Sequence, residues 1–351
     1  MLWNNELARL LKVQYPIIQA PMLGVTSPEM VAAVSNAGGL GSLPIGGLSP
    51  EKTRELIHKV KQLTHKPFAV NLFAYSIPEY NIQEAEAMRA LLKQLKQEHG
   101  FTAEIPELDS LKFYTYEEQI PILIDESVPV VSFTFGIPDD ASLQQLKQHG
   151  TILIGTATCV DEAIVLEQKG VHAITLQGIE AGGHRGSFLH DALPQIGLIA
   201  LVPMAAKVVK IPLIASGAIN SGTTVKAAFT LGAVGVQIGT AFIASTESLA
   251  IPAYKEGLAT AKDTDAALTQ AFSGRWARGI HNAFMEQLEN SGITLPPYPV
   301  QNSLTGALRA EAQKQNNGTF TNLWAGQAAS MYVRQKNSAE ILMDIIKNTE
   351  Q

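Results

Sequence analysis

IPLIASGAINSGTTVKAAFTLGAVGVQIGTAFI, residues 211–243, decides the fold. Two short apolar runs, IPLIAS and GVQI, flank a stretch of helical period, and each run ends in glycine. A strand that is apolar on both faces is buried on both, as in a parallel sheet covered by helices. Ser221 stands where a helix cap belongs, and the glycine of TLG stands where a helix stops. The same unit recurs upstream. YPIIQAPM precedes SPEMVAAVSNAGG, LGSLPIGG precedes SPEKTRELIHKVKQLT, and PFAVNLF follows. VPVVSFTFG is paired with DDASLQQLKQHG, TILIGTAT with CVDEAIVLEQKG, and HAITLQG completes the set. Eight strand candidates are present by Phe242. Eight β-then-α units predict an α/β fold of the (β/α)8 barrel type; an open doubly wound sheet is the competing pattern.

Two segments exceed a minimal barrel. Residues 74–127 form an insertion in which Ala85, Met88, Leu92 and Leu95 share one helical face, predicting an amphipathic helix resting on the barrel. Residues 263–351 read as helices with loops. The predicted organisation is therefore a barrel over 1–73 and 128–262, an inserted helical segment over 74–127, and a C-terminal helical extension over 263–351. The last two together form a lid on the face where barrel active sites occur.

Composition narrows the class. The 351 residues are 46% hydrophobic and 17% charged, a balance suited to a large packed core. A net charge of −6 without a basic run argues against a nucleic-acid surface. One cysteine, Cys159, excludes an internal disulfide framework and fits a reducing compartment. The opening MLWNNELARLLKVQYP lacks the basic-then-apolar order of a signal peptide, and no apolar run approaches a membrane span. A soluble cytoplasmic protein without membrane partners is expected, and an oligomer is compatible with this.

The strand ends carry the chemistry. ASGAINSGTT and QIGTAF close the last two strands, where barrels often bind phosphate. Gly217 permits backbone N–H groups to approach an anion, with a helix N-terminus following near Ser221. Gly239 and Thr240 supply a second set of donors. Neither a dinucleotide fingerprint nor a P-loop is present. Asn71 and Gln177 place amides in apolar runs; a flavin edge or neighbouring backbone would satisfy them. Met22 ends the first strand with a soft side chain suited to a flat ring, or to core packing.

QGIEAGGHRG, residues 177–186, puts a glycine pair before a histidine at a strand end. Gly182 and Gly183 would let backbone approach a cofactor, and His184 would face the barrel mouth as a proton-exchanging or anion-binding group. Arg185 either binds an anion or faces solvent, and Glu180 either orients the loop or the imidazole. Cys159 follows the fifth strand, yet no adjacent cation or base activates it, so packing is expected. No Cys/His cluster argues for a metal.

APMLGVTSPEMVAAVSNAGGLGSL, PFAVNLF, QGIEAGGHRGSF, SGAINSG, VQIGTAFIASTES and FSGRWARGIHNAF, with YPVQN and LWAGQ in the tail, together resemble nitronate monooxygenase, formerly 2-nitropropane dioxygenase. The resemblance runs over nearly the whole chain. It implies an FMN-containing barrel that oxidises nitronates, such as propionate 3-nitronate, with molecular oxygen. By motif, the FMN contacts would be Met22, Asn71, Gln177, Gly182, Gly217, Gln237, Gly239 and Thr240. His184 would be the active-site histidine and Tyr298 a substrate-side residue. Two departures stand out. SGAI has Ala218 where relatives often show a second glycine, and SFTFG has Thr134 where some members carry a histidine. The flavin-dependent enoyl-acyl-carrier-protein reductases share an EAGGH-like loop and form the alternative, which would require NAD(P)H and an acyl thioester site.

Overall fold

The computed structural model describes residues 3–332 and 335–351. Its strands are β1 Ile17–Gln19, β2 Ser42–Pro44, β3 Ala69–Phe73, β4 Val130–Thr134, β5 Ile152–Ala157 and β6 Ala173–Gln177. They continue as β7 Gly183–His184, β8 Leu213–Ser216, β9 Gly235–Ile238, β10 Ala266–Thr269 and β11 Ala277–Ile280. The eight strands read from the sequence form one parallel sheet in the order β1-β9-β8-β6-β5-β4-β3-β2. A parallel bridge between Ile18 and Leu40 brings β1 to the approach of β2 and closes the ring. The Leu40 N–H donates to Ile17 O at 3.0 Å, and the Gln19 N–H to Leu40 O at 2.9 Å. This is a (β/α)8 barrel.

Period-two alternation divides each strand between two cores. Ile18, Leu40, Ala69, Val130, Ile154, Ala173 and Ile214 cluster inside the barrel, together with Leu7 and Leu11 of the helix Glu6–Leu11. That helix plugs the N-terminal end, and a side chain at Gly235 would strike Leu7 at 2.3 Å. Two residues further along the same strands, the inward positions become Asn71, Ser132, Thr156, Thr175 and Ser216, joined by Gln237 on β9. The interior is thus apolar at one end and polar at the other. Chemistry belongs at the polar C-terminal mouth.

The outward residues pack under the helix ring. Pro28–Asn36, Pro50–Leu63, Asp140–Gln148, Val160–Gln168, Leu198–Ala205 and Gly222–Thr230 follow β1, β2, β4, β5, β6 and β8. Two helices depart from the domain boundaries expected above. Tyr116–Asp125, inside the presumed insertion, is the barrel helix that follows β3. It buries Ile120 and Leu123 in the main core, and Gln119 Nε2 donates to Ile45 O and Leu48 O at 2.7 and 2.9 Å. The final helix, Ser338–Glu350, does not join a lid. It packs between Gly222–Thr230 and Pro28–Asn36, burying Ile341, Leu342, Ile345 and Ile346, and so fills the eighth place in the ring. Gly222 allows this approach, since a Cβ there would lie 2.2 Å from Asn348 C.

The helix Ile82–Glu98 buries Ala85, Met88, Leu92 and Leu95, the face read from its periodicity, but not against the barrel. Its partners are Phe284, Val300, Leu304 and Leu308 of a second core, carried by the helices Ala283–Glu289 and Val300–Lys314. Nor is that region wholly helical. β10 and β11 form an antiparallel hairpin, and β11 pairs with β7 through Ala277 opposite His184 and Arg278 opposite Gly183. Four-residue strands carry too little alternation to be told from loop. The hairpin anchors the His184 loop over the mouth. Among the described residues no helix is long and apolar enough to cross a membrane.

Candidate active site

Two sets of loops meet at the mouth. On one side, the loops after β6, β8 and β9 converge with the tail. Gly326 N–H donates to Thr240 Oγ1 at 3.1 Å, and Gln327 N–H to Glu180 O at 3.0 Å. Gly217 has φ +133° and lies with its Cβ position 3.3 Å from Ala181 N, while that of Gly239 lies 3.6 Å from Met22 Sδ. Among the described residues, the N–H groups of Gly217, Ala218, Gly239 and Thr240 have no acceptor. Four free donors on facing loops are a cradle for an anion.

Ala218 has φ +51°, the left-handed region that glycine enters without strain. A side chain there costs roughly 1–2 kcal/mol, partly offset by the greater unfolded-state freedom of glycine. Ala218→Gly should therefore leave thermal stability unchanged or raise it by up to about 1 kcal/mol. A lowered melting temperature would show that the methyl group makes a contact worth more than the strain.

The amides sit as strand-end residues, in different circumstances. Asn71 is buried, and its Nδ2 donates to Ser132 Oγ at 2.9 Å and Thr134 Oγ1 at 3.4 Å. Its Oδ1 has no partner among the described residues, and neither has the Gln237 amide. Gln177 is used by the chain itself: Nε2 donates to His184 O and Oε1 accepts from Gly186 N, both at 2.9 Å. It braces the histidine loop. Gly182 is glycine for a reason other than cofactor approach, because a Cβ there would lie 2.4 Å from Ala325 C and Gly326 N.

Arg185 takes neither role considered for it. It is 0% exposed, and its guanidinium donates to Gly178 O at 2.6 Å and Gln177 O at 2.9 Å, clamping the end of β6. Glu180 accepts from Leu198 N–H at 2.9 Å, at the N-terminus of Leu198–Ala205, and so holds the loop rather than the imidazole. Cys159 caps Val160–Gln168 and is buried; burial pushes its thiol pKa upward, away from thiolate. Cys159→Ser should keep flavin and keep turnover within about tenfold. A collapse in turnover at full flavin content would reinstate a nucleophilic thiol.

His184 lies inside an aromatic ring. Trp324, Phe135, Phe73 and Tyr298 surround it at centroid distances of 5.3, 5.5, 6.3 and 6.4 Å. Its Nε2 is 2.8 Å from Ser273 Oγ, and its Nδ1 has no partner among the described residues. Burial, reinforced by the charges of Arg275 and Arg309, pulls its pKa down to about 3. The imidazole is neutral at physiological pH. Burial also holds the Tyr298 phenol protonated.

Several of these partners are invisible to sequence reasoning. Ser273 and Arg275 lie in FSGRWARG, but nothing in its spacing places either beside residue 184. Phe135 has φ +79°, a strained conformation for a bulky residue, held between Phe73 at 4.3 Å and the Arg275 guanidinium at 4.2 Å. Thr134 joins the polar layer through Thr156 Oγ1 at 3.4 Å.

Comparison with known proteins agrees with this arrangement. The family model described as nitronate monooxygenase matches residues 4–348. A probable nitronate monooxygenase of Staphylococcus aureus (strain JH9) is 43% identical over 330 residues, covering 93% of this chain and 92% of that protein. Among solved structures, nitroalkane oxidase from Streptomyces ansochromogenes superposes with a TM-score of 0.88 at 32% identity, covering 99% of this chain and 98% of that one. FabK from Thermotoga maritima gives 0.77 at 29% identity, covering 99% and 96%. With the polar barrel mouth, the anion cradle and the enclosed histidine on one face, the chain belongs to the nitronate monooxygenase family.

Proposed function

We propose that the chain binds FMN at the barrel mouth and oxidises an aliphatic nitronate there with molecular oxygen, with His184 holding the substrate. The observation that carries this reading is His184 itself: a neutral imidazole, enclosed by aromatic rings and flanked by cations, at the polar end of the barrel. The family is flavin-dependent, and the residues suit a flavin mononucleotide. Gly217, Ala218, Gly239 and Thr240 would hold its single phosphate. Asn71 Oδ1 and the Gln237 amide would meet the ring edge, Met22 its face, and the braced Gln177–Gly182 loop its opposite side. A second phosphate has no fingerprint in the sequence, which favours FMN over FAD. When bound, the flavin would supply the electron transfer between substrate and oxygen.

The chain's own part is orientation and proton placement. Ser273 has one hydroxyl proton. Donated to His184 Nε2, it leaves a proton on Nδ1 to hydrogen-bond a nitronate oxygen. Donated to Arg275 O, 3.2 Å away, it leaves Nδ1 bare to take an α-proton from a neutral nitroalkane. A nitronate arrives without that proton, so it needs only the hydrogen bond. The aromatic surround lowers the local dielectric and strengthens the bond.

Because the pKa of His184 lies near 3, kcat/KM for a nitronate should show no histidine ionisation between pH 6 and 8. The same shift makes folding acid-sensitive: the unfolded imidazole protonates first, so stability falls as pH drops from about 6.5 toward 3. A bell-shaped profile with a limb near pH 6.5 that vanishes in His184→Asn would contradict the neutral assignment.

A cytoplasmic location fits the single cysteine. The purified protein should be yellow, release FMN on denaturation, and consume oxygen with a nitronate. Reduction of bound flavin by NADPH, without nitronate oxidation, would favour the enoyl reductase alternative.

A further inference from the structure

Alternation alone would send Phe135 away from the mouth. Along β4 the even-numbered residues face the barrel interior: Val130 lies in the inner apolar core, and Ser132 and Thr134 accept from Asn71 Nδ2 at 2.9 and 3.4 Å. The odd-numbered residues face the helices, and Val131 and Phe133 are buried in the outer core. Continued as a strand, residue 135 would join Phe133 in that layer. Its φ of +79° turns the chain instead, and its ring packs with Phe73, Tyr75 and Tyr298.

A bulky residue keeps a positive φ only where its surroundings over-determine it, and such positions gather at functional sites. The restraints on Phe135 come from three directions. Thr134 O accepts from Ala74 N–H at 2.9 Å, and a Cβ at Gly136 would lie 2.2 Å from Ala74 O, so both chain neighbours are fastened to the end of β3. Phe135 O accepts from Arg275 Nη2 at 3.5 Å, and the same guanidinium stands 4.2 Å from the ring centroid. Phe73 meets the ring at 4.3 Å and is itself pinned, since a Cβ at Gly46 would lie 2.3 Å from its Cδ2. Held in this way, the ring reaches Tyr298 at 5.4 Å and His184 at 5.5 Å, nearly perpendicular to the imidazole at 79°.

We infer that Phe135 is a positioning residue for His184: its strained backbone turns the ring into the mouth, where the ring fixes the plane of the imidazole and covers the Arg275 guanidinium. This rests on the role proposed for His184. Ser273 holds one imidazole nitrogen at 2.8 Å, which leaves the ring free to swing about that bond. A perpendicular aromatic contact opposes the swing. The guanidinium is held over the face of Phe135 by the negative potential there. The ionisable groups facing His184 are Arg275, Arg309 and Tyr298, none of them a carboxylate. Enclosure and these positive charges, not a hydrogen-bonded anion, set its protonation.

Phe135→Ala and Phe135→Gly both remove the ring, and only the second frees the backbone. Glycine ordinarily costs stability relative to alanine; here the order should reverse, with Phe135→Gly melting above Phe135→Ala. The imidazole is read by NMR in holoprotein labelled at histidine nitrogen, its signal being the one absent from His184→Asn. In the parent it should stay neutral from about pH 8 to about pH 5. In either variant without the ring, water reaches the imidazole, which should protonate within that range. At matched flavin content, kcat/KM for a nitronate should fall about tenfold or more, as for a misplaced group. Phe135→Tyr keeps the aromatic face and should keep both parental properties. A His184 signal that stays neutral in both Phe135→Ala and Phe135→Gly would overturn the assignment, as would Phe135→Ala melting above Phe135→Gly. The titration needs no turnover. A parent that oxidises no nitronate, with the shift present in the variants, would refute the proposed function and leave the placement of His184 by Phe135 standing.

Discussion

His184→Asn should hold its flavin at parental stoichiometry and lose on the order of a hundredfold in turnover of neutral nitroalkanes, the scale of general-base removal. Asparagine has similar reach and can hydrogen-bond, but it cannot take a proton near neutral pH. With preformed nitronate the loss should be smaller, on the order of tenfold or more, because only a hydrogen bond to an anion is weakened. The difference between the two losses isolates proton transfer from substrate holding. The structure sharpens the expectation. An imidazole held near pKa 3 by burial and by Arg275 and Arg309 is a feeble base before substrate binds. Its parental activity on neutral nitroalkanes should therefore be slow beside that on nitronates. If parent and variant oxidise nitronate equally at matched flavin content, His184 is a packing residue of the aromatic ring.

What was legible in the chain follows from which signals are local. A strand buried on both faces is a run of apolar residues, so all eight barrel strands could be read directly. A polar residue inside such a run must face the barrel interior or the helices; Asn71, Ser216 and Gln237 face inward, and this marks the mouth. The helix Ile82–Glu98 shows the limit. Its buried face is periodic and readable, but periodicity carries no information about the partner, which lies some two hundred residues away in the second core. The final helix is similar: Ser338–Glu350 looks like any amphipathic tail until Gly222 receives it. Two-residue β7 is held by β11, and Arg185 is turned inward by the carbonyls of Gln177 and Gly178. Both are properties of three-dimensional packing. Backbone freedom alone does not account for Gly182; close packing against Ala325 and Gly326 does.

Gly182→Ala should be strongly damaging for so small a substitution. The added methyl would stand 2.4 Å from Ala325 C and Gly326 N and 2.9 Å from Ala325 Cα. These are backbone atoms, so no side chain can swing away. They are also tethered: Ala325 N–H donates to Arg278 O at 3.2 Å, Gly326 N–H to Thr240 Oγ1 at 3.1 Å, and Gln327 N–H to Glu180 O at 3.0 Å. Relief requires the tail to separate from the loop after β6, breaking some of these bonds. Overpacking alone costs about 1–3 kcal/mol, and each lost hydrogen bond adds about 1 kcal/mol. The same movement pulls Gly326 from Thr240 and shifts Trp324 beside His184, so flavin affinity and turnover should fall with stability. Gly183→Ala is the control. Nothing lies within 4 Å of its Cβ position, and only its φ of +74° opposes a side chain. That strain costs roughly 1–2 kcal/mol without moving the tail, so flavin should be retained. Thermal denaturation and flavin content measured on both variants separate the two effects. Parental stability and full flavin in Gly182→Ala would mean that the tail does not lie against this loop in solution.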